Sequence, residues 1–320
     1  MNSLSMVSKS MIANKMREIV GGGTFRGDIL FEEPMKDHTT LRIGGPTDIY
    51  AVPKDQDSLA NLLGIFEDGH VPVIPLGGGS NILVPDGGLG GAVVSTAFFD
   101  HFEVREDRGD EVKLSVESGT PLKRLVLFSL DRGYAGIEGL AGIPGFLGGA
   151  VWGNAGSFGF EVGDVVESVT VMDMRGKTHN LTRGDLDFTY RSSRIPDGTI
   201  ILNAVMKLMK DDPTAVATKV HDFFHEKKKR QPISGFSAGC VFKNPIGMHA
   251  GRLIDDAGCI GMRRGDIEVS GLHANFFINR GGGTASDFLA LMEDVKDRVM
   301  KLFSLELEPE IKIVGKDHEL

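Results

Sequence analysis

Apolar residues recur along this chain with two different periods. Short runs that alternate or are continuously apolar, "DIYAVP" (Asp48–Pro53), "VPVIPLG" (Val71–Gly77) and "GAVVST" (Gly91–Thr96), predict strands. Between the first two, "DQDSLANLLGIFEDG" takes the helical period, with Asp55 or Asp57 placed to cap it. The result is a strand–helix–strand unit that runs straight into a glycine loop. "FEVREDRGDEVKLSVESG" and "ESVTVMDMRGKTHNLTR" each alternate about a turn, the second at Arg175-Gly176, and predict two hairpins. "PLKRLVLFSLDRG" predicts a helix with Pro121 at its first position and Gly133 at its end. "TIILNAVMKLMK" (Thr199–Lys210) predicts a long strand, and "MNSLSMVSKSMIANKMREIV" an amphipathic first helix.

The pattern changes after Lys210. In "DDPTAVATKVHDFFHEKKKR" Asp212 is a cap, Pro213 a first helical residue, and Val216, Val220, Phe223 and Phe224 one helical face. The main domain boundary is therefore expected at Asp211–Pro213. Residues 1–210 form one region, with an N-terminal helix and subdomains of about 25–98 and 99–210. Residues 213–316 form a smaller domain. The latter is expected to hold a helix in "AGRLIDDAG" and strands near "IEVSGLHANFFINR". It also holds a long helix opened by Thr284 and Asp287 with Phe288, Leu291, Met292, Val295 and Val299 inward, and a final strand in "ELEPEIKIVG".

Composition narrows the function classes. The chain has 320 residues, 41% hydrophobic and 25% charged, which is ordinary for a soluble globular protein. A net charge of −9 disfavours a general nucleic-acid binder. No apolar run is long enough for a membrane span, and the first residues do not read as a signal peptide. Two cysteines without a Cys-x-x-Cys spacing give neither a disulfide framework nor a zinc site, so no metal is expected and a reducing cytoplasm is the expected compartment. The terminal "KDHEL" is read as a chance likeness to a retention tail.

The 43 glycines are concentrated in loops. "IPLGGGSNILV" puts Gly77, Gly78, Gly79, Ser80 and Asn81 directly after a strand, where the loop is either a tight turn or an anion-binding nest. It matches neither the P-loop nor the Rossmann pattern. "GLAGIPGFLGGAVWGNAGSFG" is a poor free-standing helix, at about 1 kcal/mol per glycine, and suits backbone pressed against something flat or charged. Two such stretches suggest one extended cofactor carrying a diphosphate, such as FAD. "FTYRSSRIP" offers Tyr190 and the guanidinium fork of Arg191, which spacing alone leaves as a surface ion pair or an anion ligand. "KKKRQP" (Lys227–Pro232) either complements a helix dipole or faces a phosphate. Alternation puts Glu306, Glu308 and Glu310 on one strand face; His273 and Asn275 read as hydrogen-bonding residues and Cys259 as core. In "SAGCVFKNP" Cys240 reads, in isolation, as a buried filler.

Together, "HTTLRIGGPTD" (His38–Asp48), "PLGGGSNILV", "GLAGIPGFLGGAVWGNAG", "YRSSRI", "AGCVFKNP" and "LEPEIKIVG" resemble the UDP-N-acetylenolpyruvoylglucosamine reductases, in family order over about residues 38 to 315. The form of the second glycine stretch looks like the second of that family's two types. The resemblance implies an α/β (α+β) fold: a two-subdomain FAD-binding region of the flavin oxidase and dehydrogenase (PCMH-like) type, then a smaller α+β substrate domain. It implies that NADPH reduces FAD, and that a hydride then passes from flavin N5 to the enolpyruvyl carbon of UDP-N-acetylglucosamine enolpyruvate. It assigns Arg191 and Glu310 to the developing negative charge and the proton to Cys240, where the family often has serine. It further implies that Arg42, Gly77, Gly78, Gly79, Ser80, Asn81, Gly142, Ile143, Gly149, Ala150 and Asn154 line FAD. Tyr190, Lys243 and Asn244 would face the UDP-sugar, with Lys228 or Arg230 at its diphosphate. Arg191 and Lys243 are cations that would lower the thiol pKa, so whether Cys240 keeps its proton is open at this level. The other readings are a different FAD-dependent oxidoreductase on this scaffold, acting on a hydroxy acid or sugar, and a non-catalytic nucleotide-binding protein.

Overall fold

The computed structural model describes residues 6–315, so "KDHEL" lies outside the described residues. Helix α1 (Met6–Gly21) leads into a four-stranded sheet, β1 (Gly27–Pro34), β2 (Pro46–Pro53), β3 (Val73–Leu76) and β5 (Leu89–Ser95), with β4 (Ile82–Leu83) outside it. The order is β1-β2-β5-β3: β1 and β2 are antiparallel, while β5 runs parallel to both β2 and β3. The crossover between β2 and β3 is α2 (Gln56–Asp68), and Asp55 rather than Asp57 caps it, accepting from Ser58 N at 2.8 Å. Leu59, Leu62, Leu63 and Phe66 of α2 are fully buried against Ile12, Met16, Ile49 and Val94.

The second unit is a six-stranded sheet built around the predicted long strand, β13 (Thr199–Lys210). It sits between the two predicted hairpins: β6 (Phe102–Arg108) with β7 (Glu111–Glu117), and β11 (Val166–Asp173) with β12 (Thr178–Thr182). Strand β8 (Tyr134–Ala135) adds to the end of β13. Over the sheet lie α3 (Leu122–Arg132) and α4 (Leu147–Trp152), and the glycine-rich stretch also forms a small hairpin of β9 (Gly156–Ser157) and β10 (Phe160–Glu161). Gly133 ends α3 at φ 64°, the left-handed C-cap that glycine adopts without strain. One helical turn, α5 (Arg183–Leu186), closes the second hairpin.

Helix α6 (Pro213–Arg230) begins at the expected boundary, with Asp212 accepting from Thr214 N. Val216 is fully buried, and Val220 and Phe223 pack on the core of the second unit. Phe224, expected inward, is 40% exposed. The place one turn beyond Phe223 on the buried stripe is taken by Lys227 instead, which is 3% exposed.

The last unit contains α7 (Ala250–Asp256), a sheet of β14 (Arg263–Arg264), β15 (Ile267–Val269) and β16 (Phe277–Asn279), and α8 (Ala285–Phe303). Thr284 and Asp287 form the predicted capping box, and all five predicted core residues of α8 are buried, worth roughly 1.5–3 kcal/mol each. The expected final strand is only β17 (Lys312–Ile313), and it pairs parallel with β4 of the first unit rather than closing its own sheet. Residues 305–310 are irregular, so Glu306, Glu308 and Glu310 do not share a strand face: Glu308 is exposed, whereas Glu310 is mostly covered. The units interlock. Leu41, Ile43 and Leu83 of the first unit pack into the third core, and Val314 packs into the first.

Candidate active site

The two glycine stretches meet face to face with almost no side chain between them. A Cβ on Gly78 would lie 2.7 Å from Gly145 Cα, and one on Gly77 would lie 3.5 Å from Gly149 N. Ser80 Oγ donates to Pro144 O at 3.1 Å, clamping the loops together. Gly79 stands at φ 60°, and a Cβ there would lie 2.0 Å from His38 O. Thr40 N in turn donates to Gly79 O, which holds the segment bearing Arg42 against the loop. Gly149 differs from its neighbours: it is exposed on α4, and beyond its own helix backbone and chain neighbours nothing lies within 4 Å of where its Cβ would be.

Tyr190 and Arg191 form the tip of a tight turn. Thr189 and Ser192 exchange both backbone hydrogen bonds, at 3.0 and 3.1 Å, and Arg191 sits at φ 58°. Arg42 (φ 58°) and Asn154 (φ 43°) share that left-handed region, which is uncommon for non-glycine residues and clusters at functional sites. From the turn, Arg191 Nε donates to Glu310 Oε1 at 2.6 Å.

The chain around Cys240 explains why Glu310 is there. Glu310 N donates to Val241 O at 2.8 Å and Lys243 N to Glu308 O at 2.8 Å, pinning 308–310 along 241–243. On the other side Val241 N donates to Asn275 O. The buried Asn275 amide receives Phe242 N and donates to Phe242 O, so its role is the structural one. Asn81 adds a third anchor, donating to Glu310 O at 3.2 Å and accepting from Lys312 N at 3.0 Å. A thiol, a carboxyl and a guanidinium from three distant stretches are thus brought together where the three units meet.

Their electrostatics follow from burial. Burial pushes the Glu310 carboxyl above the usual range, with Arg191 and Lys243 acting against it. Cys240 keeps some accessible surface, yet burial among protein atoms, then the charge of Glu310, push its thiol up to about 12, with Arg191 opposing. Lys243 pairs with Glu308 instead of depressing the thiol. Burial and Glu310 both favour the protonated thiol. Arg191 stays cationic, since Glu310 and Tyr190 outweigh the burial that opposes its charge.

Comparison with known proteins decides what this arrangement belongs to. Residues 231–314 match the model of the UDP-N-acetylenolpyruvoylglucosamine reductase C-terminal domain, and residues 47–182 match an FAD binding domain. A UDP-N-acetylenolpyruvoylglucosamine reductase of Clostridium novyi is 38% identical over 98% of this chain and 100% of its own length. One of Geobacter sulfurreducens is 41% identical over 91% of this chain and 95% of its own. The chain belongs to the UDP-N-acetylenolpyruvoylglucosamine reductase family. The crystal structure of the Thermus caldophilus member superposes with a TM-score of 0.76 at 34% identity, covering 90% of this chain and 99% of that one.

Within this reductase fold the residues fit FAD in a graded way. The open space at Gly149, opposite Gly77, is a cradle that a side chain would fill; Gly142, exposed at φ 74°, lies seven residues earlier, where a Cβ would lie 3.2 Å from Phe224 and 3.3 Å from Lys227. Arg42 is half exposed over Phe236, 3.7 Å from Asp37. Ile143 is partly buried, whereas Ala150 is 5% exposed and packs into the second core, so of its atoms the backbone is what a ligand would meet. Asn154 is 1% exposed; its amide nitrogen donates to Thr189 O and Glu161 Oε2 and its amide oxygen accepts from Gly163 N, so both side-chain donors are engaged within the protein.

Tyr190 is 45% exposed beside Arg191, and its hydroxyl accepts from Asn244 N at 3.5 Å. The Asn244 side chain is engaged with Ala250 N. Lys228 and Arg230 are exposed, and Arg230 pairs with Glu226 at 2.9 Å. The lysine that reaches inward is Lys227: its Nζ donates to Ala141 O at 2.6 Å, and burial, then Arg191, lower its pKa to about 7. The reading of the run as one basic block hid it. Its four-residue step from Phe223 on the apolar stripe was the available signal.

Proposed function

We propose that the reaction is the NADPH-dependent, FAD-mediated reduction of the enolpyruvyl group of UDP-N-acetylglucosamine enolpyruvate to UDP-N-acetylmuramate, a peptidoglycan precursor. The observation that carries it is the junction of Arg191, Glu310 and protonated Cys240 in a chain of this family. Bound FAD would supply the hydride, drawn from NADPH, that adds to the enolpyruvyl methylene carbon. Gly77, Gly78, Gly142 and Gly149, with Arg42 beside them, would hold FAD.

The added hydride leaves an electron pair on the carbon next to the substrate carboxylate, as an enolate. The permanent charge of Arg191 is aimed at that enolate; burial pushes the Glu310 carboxyl toward its protonated form, and in that form it would add a hydrogen bond where the bare carboxylate would repel. Cys240 S–H then gives its proton to the same carbon, and solvent returns one to the sulfur. Tyr190, Lys243 and Asn244 present polar groups to the UDP-sugar. The 231–314 match favours this reading over a hydroxy-acid oxidoreductase, because that segment supplies Cys240 and Glu310. A reducing cytoplasm suits the two free thiols. NADPH oxidation with and without the enolpyruvyl substrate tests the function; a rate independent of substrate would remove it.

A further inference from the structure

Asn154 is tied entirely inside the protein. Its Nδ2 donates to Thr189 O at 2.8 Å and to Glu161 Oε2 at 2.6 Å, its Oδ1 accepts from Gly163 N at 3.0 Å, and its own N–H donates to Val151 O at 3.2 Å. An asparagine amide has two donors, and both are used. Thr189 is the foot of the turn that carries Arg191. Its carbonyl takes Ser192 N and Asn154 Nδ2, filling both acceptor positions. A second brace lies alongside, where Ser193 Oγ donates to Trp152 O at 2.9 Å. Arg191 at φ 58° occupies a conformation that persists only when its surroundings over-determine it, and these bonds are that determination.

We propose that Asn154 is a positioning residue for the catalytic pair: its bond to Thr189 O holds the 189–192 turn so that Arg191 meets Glu310, and its side chain does not bind FAD. The inference rests on the reading of Arg191 and Glu310 above. Asparagine is required because the group must donate to a carbonyl and to a carboxylate while accepting from a backbone N–H. Aspartate would face Glu161 with a like charge and donate to neither.

The test uses Asn154→Ala, Arg191→Ala and the double variant, with FAD affinity measured by fluorescence titration of the apo-protein and kinetics taken at saturating FAD. Asn154→Ala is expected to leave FAD affinity within about threefold and KM little changed, and to lower kcat by about 100-fold, the scale of a misplaced catalytic group. In the Arg191→Ala background it should cost nothing further. Lost FAD affinity with intact kcat, or full additivity with an impaired Arg191→Ala, overturns the proposal. Wild-type turnover in Arg191→Ala overturns the parent reading instead. Should the alanine variant not fold, the pair Asn154→Asp with Glu161→Gln restores the 154–161 bond but not the donor to Thr189. The same kcat loss in that pair supports the proposal, and wild-type kcat overturns it.

Discussion

Arg191 and Glu310, 119 residues apart in sequence, are joined at 2.6 Å between Nε and Oε1. The pair is mostly covered, with 24% and 14% of the two side chains exposed, so it is a positioned group rather than a surface ion pair. Glu310→Ala should lower kcat by about 100-fold or more with a smaller change in KM, and Glu310→Gln less, because the amide keeps a hydrogen bond. Steady-state NADPH oxidation measures both. An alanine variant with unchanged kcat would exclude Glu310 from the mechanism.

Cys240 should behave as a sluggish nucleophile. With its thiol pushed up to about 12 by burial and Glu310, little thiolate exists at neutral pH. Iodoacetamide should label it far more slowly than free cysteine at pH 8 and accelerate only in strong alkali. Cys240→Ser should keep much of the turnover and Cys240→Ala lose about 100-fold, within the range of a general acid. Fast labelling at pH 7 would show that the proton is already gone.

Lys227 links stability to pH with a definite sign. Its native pKa is lowered to about 7, against about 10.4 for an unperturbed lysine. Between those values the unfolded chain binds more protons than the native state, so this residue's contribution to stability rises with pH across the window. Below pH 7 the cost of burying the charge is fully present. The melting temperature of Lys227→Met apo-protein relative to wild type should therefore decline steadily from pH 7 to pH 10. A pH-independent difference would mean that the native lysine does not titrate there.

Asp86 reaches from the first unit to the start of α8, accepting from Ala285 N at 2.6 Å, Ser286 N at 3.0 Å and Ser286 Oγ at 2.7 Å. Partial burial works against its charge, but these donors outweigh it and hold the carboxyl below the usual range. Asp86→Ala should cost about 1 kcal/mol at neutral pH, the scale of a helix cap. The folded pKa is depressed, so the stabilisation is present above the unfolded value near 4 and disappears as pH falls through the folded one. Urea melts should show the full difference at pH 7 and a smaller one as the pH is taken down through the acid range; a difference that does not shrink would mean that the carboxylate charge contributes nothing.

Gly149→Val separates ligand contact from packing. At Gly78 a side chain strikes Gly145, so a colourless valine variant there would report the two loops forced apart as readily as a lost cofactor contact. At Gly149 an added Cβ meets nothing beyond its own helix backbone and chain neighbours. Gly149→Val should fold but lose flavin absorbance. A yellow, fully flavinated variant would place FAD elsewhere.

Periodic segments were legible in the residues themselves. The α8 stripe from Phe288 to Val299, the Thr284–Asp287 capping box and the β13 limits at Thr199 and Lys210 all appear as predicted, because local pattern and burial agree there. The motifs at Arg191, Cys240 and Glu310 were legible as a resemblance, since their order along the chain survives without any knowledge of distance.

What the residues alone left open was everything set by neighbours distant in sequence. The "ELEPEIKIVG" strand shrank to Lys312–Ile313 because its partner, β4, belongs to another unit and offers only Ile82 and Leu83. Phe224 and Lys227 exchanged expected roles because α6 turns its stripe toward Gly139–Ala141, which no local pattern encodes. The partners of Asn154, Glu161, Gly163 and Thr189, are likewise gathered only by the fold. The electrostatic setting of Cys240 is of the same kind: sequence supplies the thiol and two cations, but only tertiary structure sets how far the site is taken out of water and ties Lys243 to Glu308.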